Sequence, residues 1–213
     1  MVRREIKNMS KTRLIAVTGG IGSGKTAVTE FIKEAGYPVV SCDEITAELY
    51  RSERFLTELA EVFPRAIKKA GTGGNERLVA DKKAIAKEAF SHPEKYEKLN
   101  TLVTERVFFS SVARAKELAE TAKNLSAFIE VPLLFENGYE NFFDNVIVVK
   151  RNVSARIAAV KARSNLSENE IADRMKKQYD YASLPPRATV IKNDGDLAEL
   201  KKATTSALDK MGL

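Results

Sequence analysis

The apolar residues of this chain fall into short unbroken runs and longer spaced stripes, and the two kinds alternate from the start. "LIAVT" (Leu14–Thr18) is a five-residue run with β-branched members, apolar on both faces, as expected of a central strand in a parallel sheet. "TAVTEFIKEA" (Thr26–Ala35) then places Val28, Phe31, Ile32 and Ala35 on one face of a helix that Gly36 stops. Tyr37 and Pro38 turn the chain into "VVSCD", a second short strand. A strand, loop, helix and strand within about thirty residues are the pattern of an open α/β fold with helices on both sheet faces.

From Glu44 to about Lys123 the spacing predicts mainly helix, broken at "FPRA", "AGTGGNE" and "SHPE". This stretch reads as an insertion rather than sheet, with Ser91 as the expected cap of the helix that Pro93 enters. "LSAFIEVPLLFE" brings back a buried strand ending at Glu130, and "NVIVVK" is another. Helices are predicted through "VSARIAAVKARSN" and, after a capping box in Ser167 and Glu170, through "SENEIADRMKKQYD". "ATVIKNDG" reads as a last strand and turn before a final amphipathic helix.

Composition narrows the class. At 213 residues, with 44% hydrophobic and 30% charged positions, the chain suits one globular unit with insertions. No apolar run approaches the roughly 18 residues of a membrane helix, and the run behind the basic start is too short for a signal-peptide core, so a cytoplasmic protein with no membrane partner is expected. Met9 heads "MSKTRLIAVTGG", so residues 1–8 read as an extension outside the fold. The single cysteine, Cys42, excludes a disulfide framework, and with the single histidine, His92, it leaves only oxygen ligands for a metal. A net charge of +6 permits a nucleic-acid partner but equally suits substrates with several phosphates, and no nucleic acid is expected.

Between the first strand and the first helix stands "GGIGSGKT" (Gly19–Thr26), which fits G-x-x-x-x-G-K-[ST] in the context that motif requires. Its glycines let successive backbone N–H groups face inward as an anion nest, and the helix N-terminus adds partial positive charge. Lys25 would reach the β and γ phosphates, and the Thr26 hydroxyl would ligate Mg²⁺. A nucleoside triphosphate is therefore expected on Gly20, Gly22, Ser23, Gly24, Lys25, Thr26 and Ala27.

The guanine-reading N-K-x-D motif of switch GTPases is absent. A kinase instead needs a carboxylate beside the acceptor hydroxyl, an acceptor-binding insertion and mobile positive charge over the γ phosphate, and each has a candidate. Asp43 stands just beyond the second strand, where it could take the acceptor's proton or help hold Mg²⁺; its other reading is the N-cap of "EITAELY". Glu130 could act through a water on the metal, or be a surface carboxylate. Between Lys150 and Lys177 basic residues outnumber acidic ones, and an arginine such as Arg163 could swing over the site, the rest forming a solvated helix face.

The pieces "LIAVTGGIGSGKTAV", "GYPVVSCDEI", "ERL", "LNTLV", "FIEVPLLFENG", "VIVVKR", "RSNLSENEIADRMKKQ" and "VIKNDG" follow one another in the order and spacing of a known family. From about Thr12 to Ala207 the chain resembles the dephospho-CoA kinases, and "VPLLFE" followed by the arginine, "LS..E" and the glutamine is the most specific part of the likeness. The resemblance implies an α/β phosphate-loop kinase fold, a parallel five-stranded sheet flanked by helices, with a helical substrate-binding insertion and a short helical lid. It divides the chain into core (12–50, 124–152 and 183–213), CoA-holding insertion (51–123) and lid (153–182). It implies ATP-dependent phosphorylation of the ribose 3′-hydroxyl of dephospho-CoA, the last step of coenzyme A synthesis, with Mg²⁺ accompanying ATP.

Residue by residue, the resemblance makes Asp43 the base, Arg163 the lid arginine and Gln178 the glutamine ending the second lid helix. It sets Asn193 and Gly195 in a late turn near the adenine, and substrate contacts at Asp43, Arg77, Glu130 and Gln178. The chain departs from the family pattern where Ser41-Cys42-Asp43 replaces Asp-x-Asp, where Glu130 replaces Asp, and where Thr104-Glu105 replaces a His-Pro pair. Another nucleotide or small-molecule kinase on the same scaffold, or a nucleotide-dependent RNA-binding switch protein, stays open on the residues alone.

Overall fold

The computed structural model describes residues 12–71, 75–164 and 166–213, so the expectation for residues 1–8 lies outside the described residues. In chain order these form β1 (Arg13–Thr18), α1 (Lys25–Glu34), β2 (Val39–Ser41), α2 (Cys42–Leu49), α3 (Glu53–Val62), β3 (Ile67–Ala70), β4 (Arg77–Ala80), α4 (Lys82–Ser91) and α5 (Pro93–Leu99). After a π-helical stretch, Asn100–Glu105, come α6 (Arg106–Thr121), β5 (Ser126–Glu130), β6 (Asn145–Lys150), α7 (Val153–Arg163), α8 (Glu168–Lys176), β7 (Ala188–Lys192) and α9 (Leu197–Lys210). The chain divides into two units, one running to Val40 and resuming at Arg114, the other Ser41–Ala113.

The first unit is built on a five-stranded sheet in the order β2-β5-β1-β6-β7. β1 is its middle strand and runs parallel to both β5 and β6, as β6 does to β7. That position explains the unbroken apolar run: successive side chains point to opposite faces, and helices cover both. Ile15 and Val17 pack with Val28 and Ile32 of α1 and Leu200, Ala207 and Leu208 of α9, while Leu14 and Ala16, on the other face, are equally buried. Each fully buried Ile or Val contributes about 1.5–3 kcal/mol relative to leaving it in water. The capping box of Ser167 and Glu170 forms as the sequence predicts, and Asp196 and Glu199 make a second one at the start of α9.

The second unit has its own core of Phe55, Leu56, Leu59, Phe63, Ala66, Ile85 and Ala89. Arg106 pairs with Glu58 at 2.7 Å and lies over the Phe55 ring. Here the expectation of helix without sheet is corrected, because β3 and β4 form an antiparallel hairpin with Ile67 opposite Ala80 and Ala70 opposite Arg77. Each strand has four residues, and "IKKA" is too short and too charged for a period of two to show. Tertiary packing fixes it, since Ile67, Leu78 and Ala80 rest against the helical core.

Ser91 does not cap α5. Its hydroxyl donates to the Lys87 carbonyl at 3.0 Å as the last residue of α4, and extended His92 is the N-cap. Pro93 at the first helical position drives the residue before it out of the helical region, which makes His92 the boundary. Among the described residues no helix is long and apolar enough to cross a membrane.

Candidate active site

The loop Gly19–Gly24 leaves the C-terminal end of β1, the sheet's middle strand, and enters α1 at Gly24. Gly22 and Gly24 have φ of 77° and 95°, a conformation that side chains rarely adopt. The loop is also hemmed in from outside. A Cβ at Gly20 would collide with the Arg156 guanidinium, and one at Gly24 with the Asn193 amide.

Lys25 points its ammonium back across the loop, donating to the Gly19 carbonyl at 2.9 Å and lying 3.4 Å from that of Gly20. Thr26, the next residue, is exposed, and its hydroxyl donates to the Glu130 carboxylate at 3.4 Å. Thr29, one turn on, presents its hydroxyl to the other Glu130 oxygen at 3.3 Å. Glu130 is only 6% exposed, so the surface-carboxylate reading is excluded; the end of β5 carries it to the first turn of α1. Ala27, partly buried, seats that turn on the sheet core.

Three further side chains of the same unit hold the loop's backbone. Gln178, just beyond α8, accepts a hydrogen bond from the Ile21 N–H at 2.8 Å. Arg156, in the second turn of α7, donates from Nε to the Ile21 carbonyl at 2.8 Å and from Nη2 to Gln178 at 3.3 Å. Asn193, at the end of β7, donates its amide to the Ser23 carbonyl at 2.8 Å and is itself buried. Asp194 accepts from the Asn152 N–H at 2.7 Å, which ties that turn to the start of α7. Gly195 follows in the same turn, packed on the Glu199 carboxylate of α9.

Beside the loop lies a cavity of about 450 Å³, lined by Gly20, Ser23, Lys150, Arg156, Lys176 and Tyr181 among others. Four cations on its wall, Lys150, Arg151, Arg156 and Lys176, against the one carboxylate of Asp180, favour an anionic occupant. Among the described residues the Ser23 and Tyr181 hydroxyls are buried there without a hydrogen-bond partner. Burial, helped by the Glu136 carboxylate, pushes the Tyr181 phenol up to about 12; the facing Thr18 hydroxyl and the Arg156 guanidinium pull the other way. Burial also lowers the Arg156 guanidinium from its ordinary value.

The remaining expected residues sit as follows. Asp43 belongs to the second unit, exposed in the first turn of α2, and it is not the N-cap, which is Ser41. Arg77, in the same unit, is the exposed first residue of β4. Arg163 is exposed at the last position of α7. The arginine on the loop is Arg156, which the sequence reading passed over. Its only sequence signal is position, since it falls on the helix that follows the strand next to β1.

A sequence model of dephospho-CoA kinases matches residues 13–199, which take in the loop, Glu130, α7, α8 and Asn193. The chain belongs to the dephospho-CoA kinase family. Dephospho-CoA kinase of Thermus thermophilus is 34% identical over 202 residues, 93% of this chain and 91% of that protein. The Chlorobaculum tepidum dephospho-CoA kinase is 36% identical over 190 residues, covering 88% and 89%. A solved Thermus thermophilus structure superposes with a TM-score of 0.70 at 30% identity, covering 94% of this chain and 98% of that one. A dephospho-CoA kinase from Campylobacter jejuni, at 22% identity and TM-score 0.64 over 93% and 96%, shares the fold. The dephospho-CoA kinase family membership accounts for the parallel sheet, the phosphate loop and the use of ATP.

Proposed function

We propose that this chain transfers the γ-phosphoryl group of ATP to the ribose 3′-hydroxyl of dephospho-CoA, giving CoA and ADP. The observation that carries the reading is the loop Gly19–Thr26 with Lys25 folded across it and Glu130 buried at Thr26, inside a match that spans residues 13–199. A bond forms between the ribose oxygen and the γ phosphorus as the bond from that phosphorus to the leaving ADP oxygen breaks. The hydroxyl proton goes to Asp43, whose exposed carboxylate caps no helix. Lys25 neutralises charge on the β and γ phosphates, and Arg163, exposed at the end of α7, is the cation that the lid brings over them.

The residues around Thr26 fit a magnesium ion. Mg²⁺ takes one or two protein oxygens and completes its shell with phosphate and water, and the Thr26 hydroxyl beside a buried carboxylate offers that set. When bound, the ion would neutralise charge on the phosphates; Thr26 would hold it directly and Glu130 from behind. Among the described residues no group of three or more Asp, Glu, His or Cys gathers into a separate cage, in keeping with an ion shared with the nucleotide.

In this reading residues 51–123 hold the coenzyme, with Arg77 among its contacts, and residues 153–182 form the lid on a core of 12–50, 124–152 and 183–213. The Asn193–Gly195 turn receives the adenine. A coupled assay of ADP release with dephospho-CoA, AMP and adenosine as acceptors tests the function. Dephospho-CoA should give the highest kcat/KM. A preference for AMP or a nucleoside overturns the assignment.

A further inference from the structure

Three peptide units of the phosphate loop are gripped by side chains from outside the loop. In a planar trans peptide the C=O and the following N–H point opposite ways, so holding one end aims the other. The Ile21 N–H is held by Gln178, which turns the Gly20 carbonyl the other way; that oxygen meets the Ser23 N–H at 3.1 Å and the Lys25 ammonium at 3.4 Å. The Ile21 carbonyl is held by Arg156, which turns the Gly22 N–H away from Arg156. The Ser23 carbonyl is held by Asn193, which turns the Gly24 N–H away from Asn193. Among the described residues neither of these two N–H groups has a protein acceptor. Both glycines lie at positive φ, where a peptide can flip without a side chain to resist it.

We propose that Arg156, Gln178 and Asn193 are positioning residues that fix the peptide orientations of the phosphate loop before nucleotide arrives, so that the Gly22 and Gly24 N–H groups already face the phosphates. The inference rests on the reading of Gly19–Thr26 as the ATP cradle. Two of the three, Arg156 within α7 and Gln178 just beyond α8, belong to the segment read as the lid, so the loop's order depends on that segment. Arg156 and Gln178 act on the two successive peptides that flank Ile21 and on each other, whereas Asn193 acts on a third, beyond Ser23. Their losses should therefore be non-additive within the pair and additive with Asn193.

The test uses the full chain and the variants Arg156→Ala, Gln178→Met, Gln178→Glu and Asn193→Ala, with the Arg156→Ala/Gln178→Met double. Amide hydrogen exchange over residues 19–27 is followed without nucleotide, and ATP binding and steady-state kinetics are measured alongside. Losing a grip should speed exchange in the free protein and raise the ATP Kd and KM on the order of tenfold, as when the competent loop is populated a tenth of the time. The value of kcat at saturating ATP should stay within about threefold, since bound phosphate restores the same loop. Gln178→Glu keeps the acceptor and should keep the exchange protection, while Gln178→Met loses it. Unchanged exchange and unchanged ATP affinity in all variants overturn the proposal. So does a fall in kcat with KM unmoved, which would mean contact with the transferring phosphate. Wild-type protein that binds no ATP would sink the cradle reading instead, and the exchange measurement would still decide the peptide orientations.

Discussion

Lys25 donates its ammonium to the carbonyl of Gly19, the first residue of its own loop, across 2.9 Å. On the proposed reading the charge already lies where the phosphates would collect, and moving it onto them would exchange one set of oxygen acceptors for a more strongly charged one. Lys25→Met should lower kcat/KM on the order of 10²–10³-fold, the range for loss of one preorganised donor. The melting temperature should change little, because the ammonium anchors no core. Near-normal turnover in the coupled assay would remove Lys25 from the mechanism.

Asp43→Asn keeps the side-chain shape and removes its charge and most of its basicity. As the acceptor's base, Asp43 should account for a loss in kcat on the order of 10²-fold or more, with ATP binding largely retained. Helix capping cannot supply an alternative account of such a loss, since Ser41 occupies the N-cap of α2. Normal turnover by the variant would leave the proton without this route.

Arg163 stands exposed at the end of α7, and on the proposed reading it would move with the segment 153–182 over the phosphates. Its removal should lower kcat more than it raises the acceptor KM. Arg163→Lys should fail nearly as badly as Arg163→Ala, because an ammonium cannot reproduce a planar two-point fork. Full kcat in Arg163→Ala would transfer the role to another cation of the segment.

Glu130 is buried with two threonine hydroxyls on its oxygens. Glu130→Gln keeps the volume but removes the charge that would hold a divalent ion's shell from behind. Turnover measured against Mg²⁺ concentration should then need more Mg²⁺ for half-saturation, on the order of the 10- to 100-fold typical of lost outer-shell partners. An unchanged Mg²⁺ dependence would confine Glu130 to packing.

The Tyr181 phenol is pushed up to about 12, chiefly by burial, so the folded protein keeps a proton that the unfolded chain releases near pH 10. Its contribution to stability is constant below about pH 10 and falls as pH rises from there to about 12. Tyr181→Phe should flatten that alkaline decline in urea unfolding followed from pH 8 to 11.5. At pH 8 it should cost less than about 1 kcal/mol, because among the described residues the hydroxyl has only the facing Thr18 hydroxyl near it and no hydrogen bond of good geometry to lose. An equally steep decline in the variant would assign the alkaline loss to other groups.

The parts of this fold that the sequence declares are those whose cause is local. Five buried residues before a glycine loop announce β1, and a serine three residues ahead of a glutamate announces the cap of α8. The hairpin of β3 and β4 is silent because its strands are short and its stability comes from Ile67 and Leu78 resting on helices elsewhere in the chain. The cap at His92 was legible in principle: a proline's effect on its predecessor outranks the preference of serine for caps. Arg156 could not be found by pattern, since its meaning comes from the Ile21 peptide, 135 positions away.

The central place of β1 bears on how the protein is made. Its two neighbours, Ser126–Glu130 and Asn145–Lys150, lie more than a hundred residues downstream. A growing chain on the ribosome therefore carries its phosphate loop exposed and unbraced until the strand ending at Lys150 has emerged, and Asn193 reaches it later still. The unit Ser41–Ala113 has all its own core residues well before that and can fold first. Nucleotide-binding competence should accordingly arrive abruptly and late in synthesis, after the segment that interrupts the sheet is already in place.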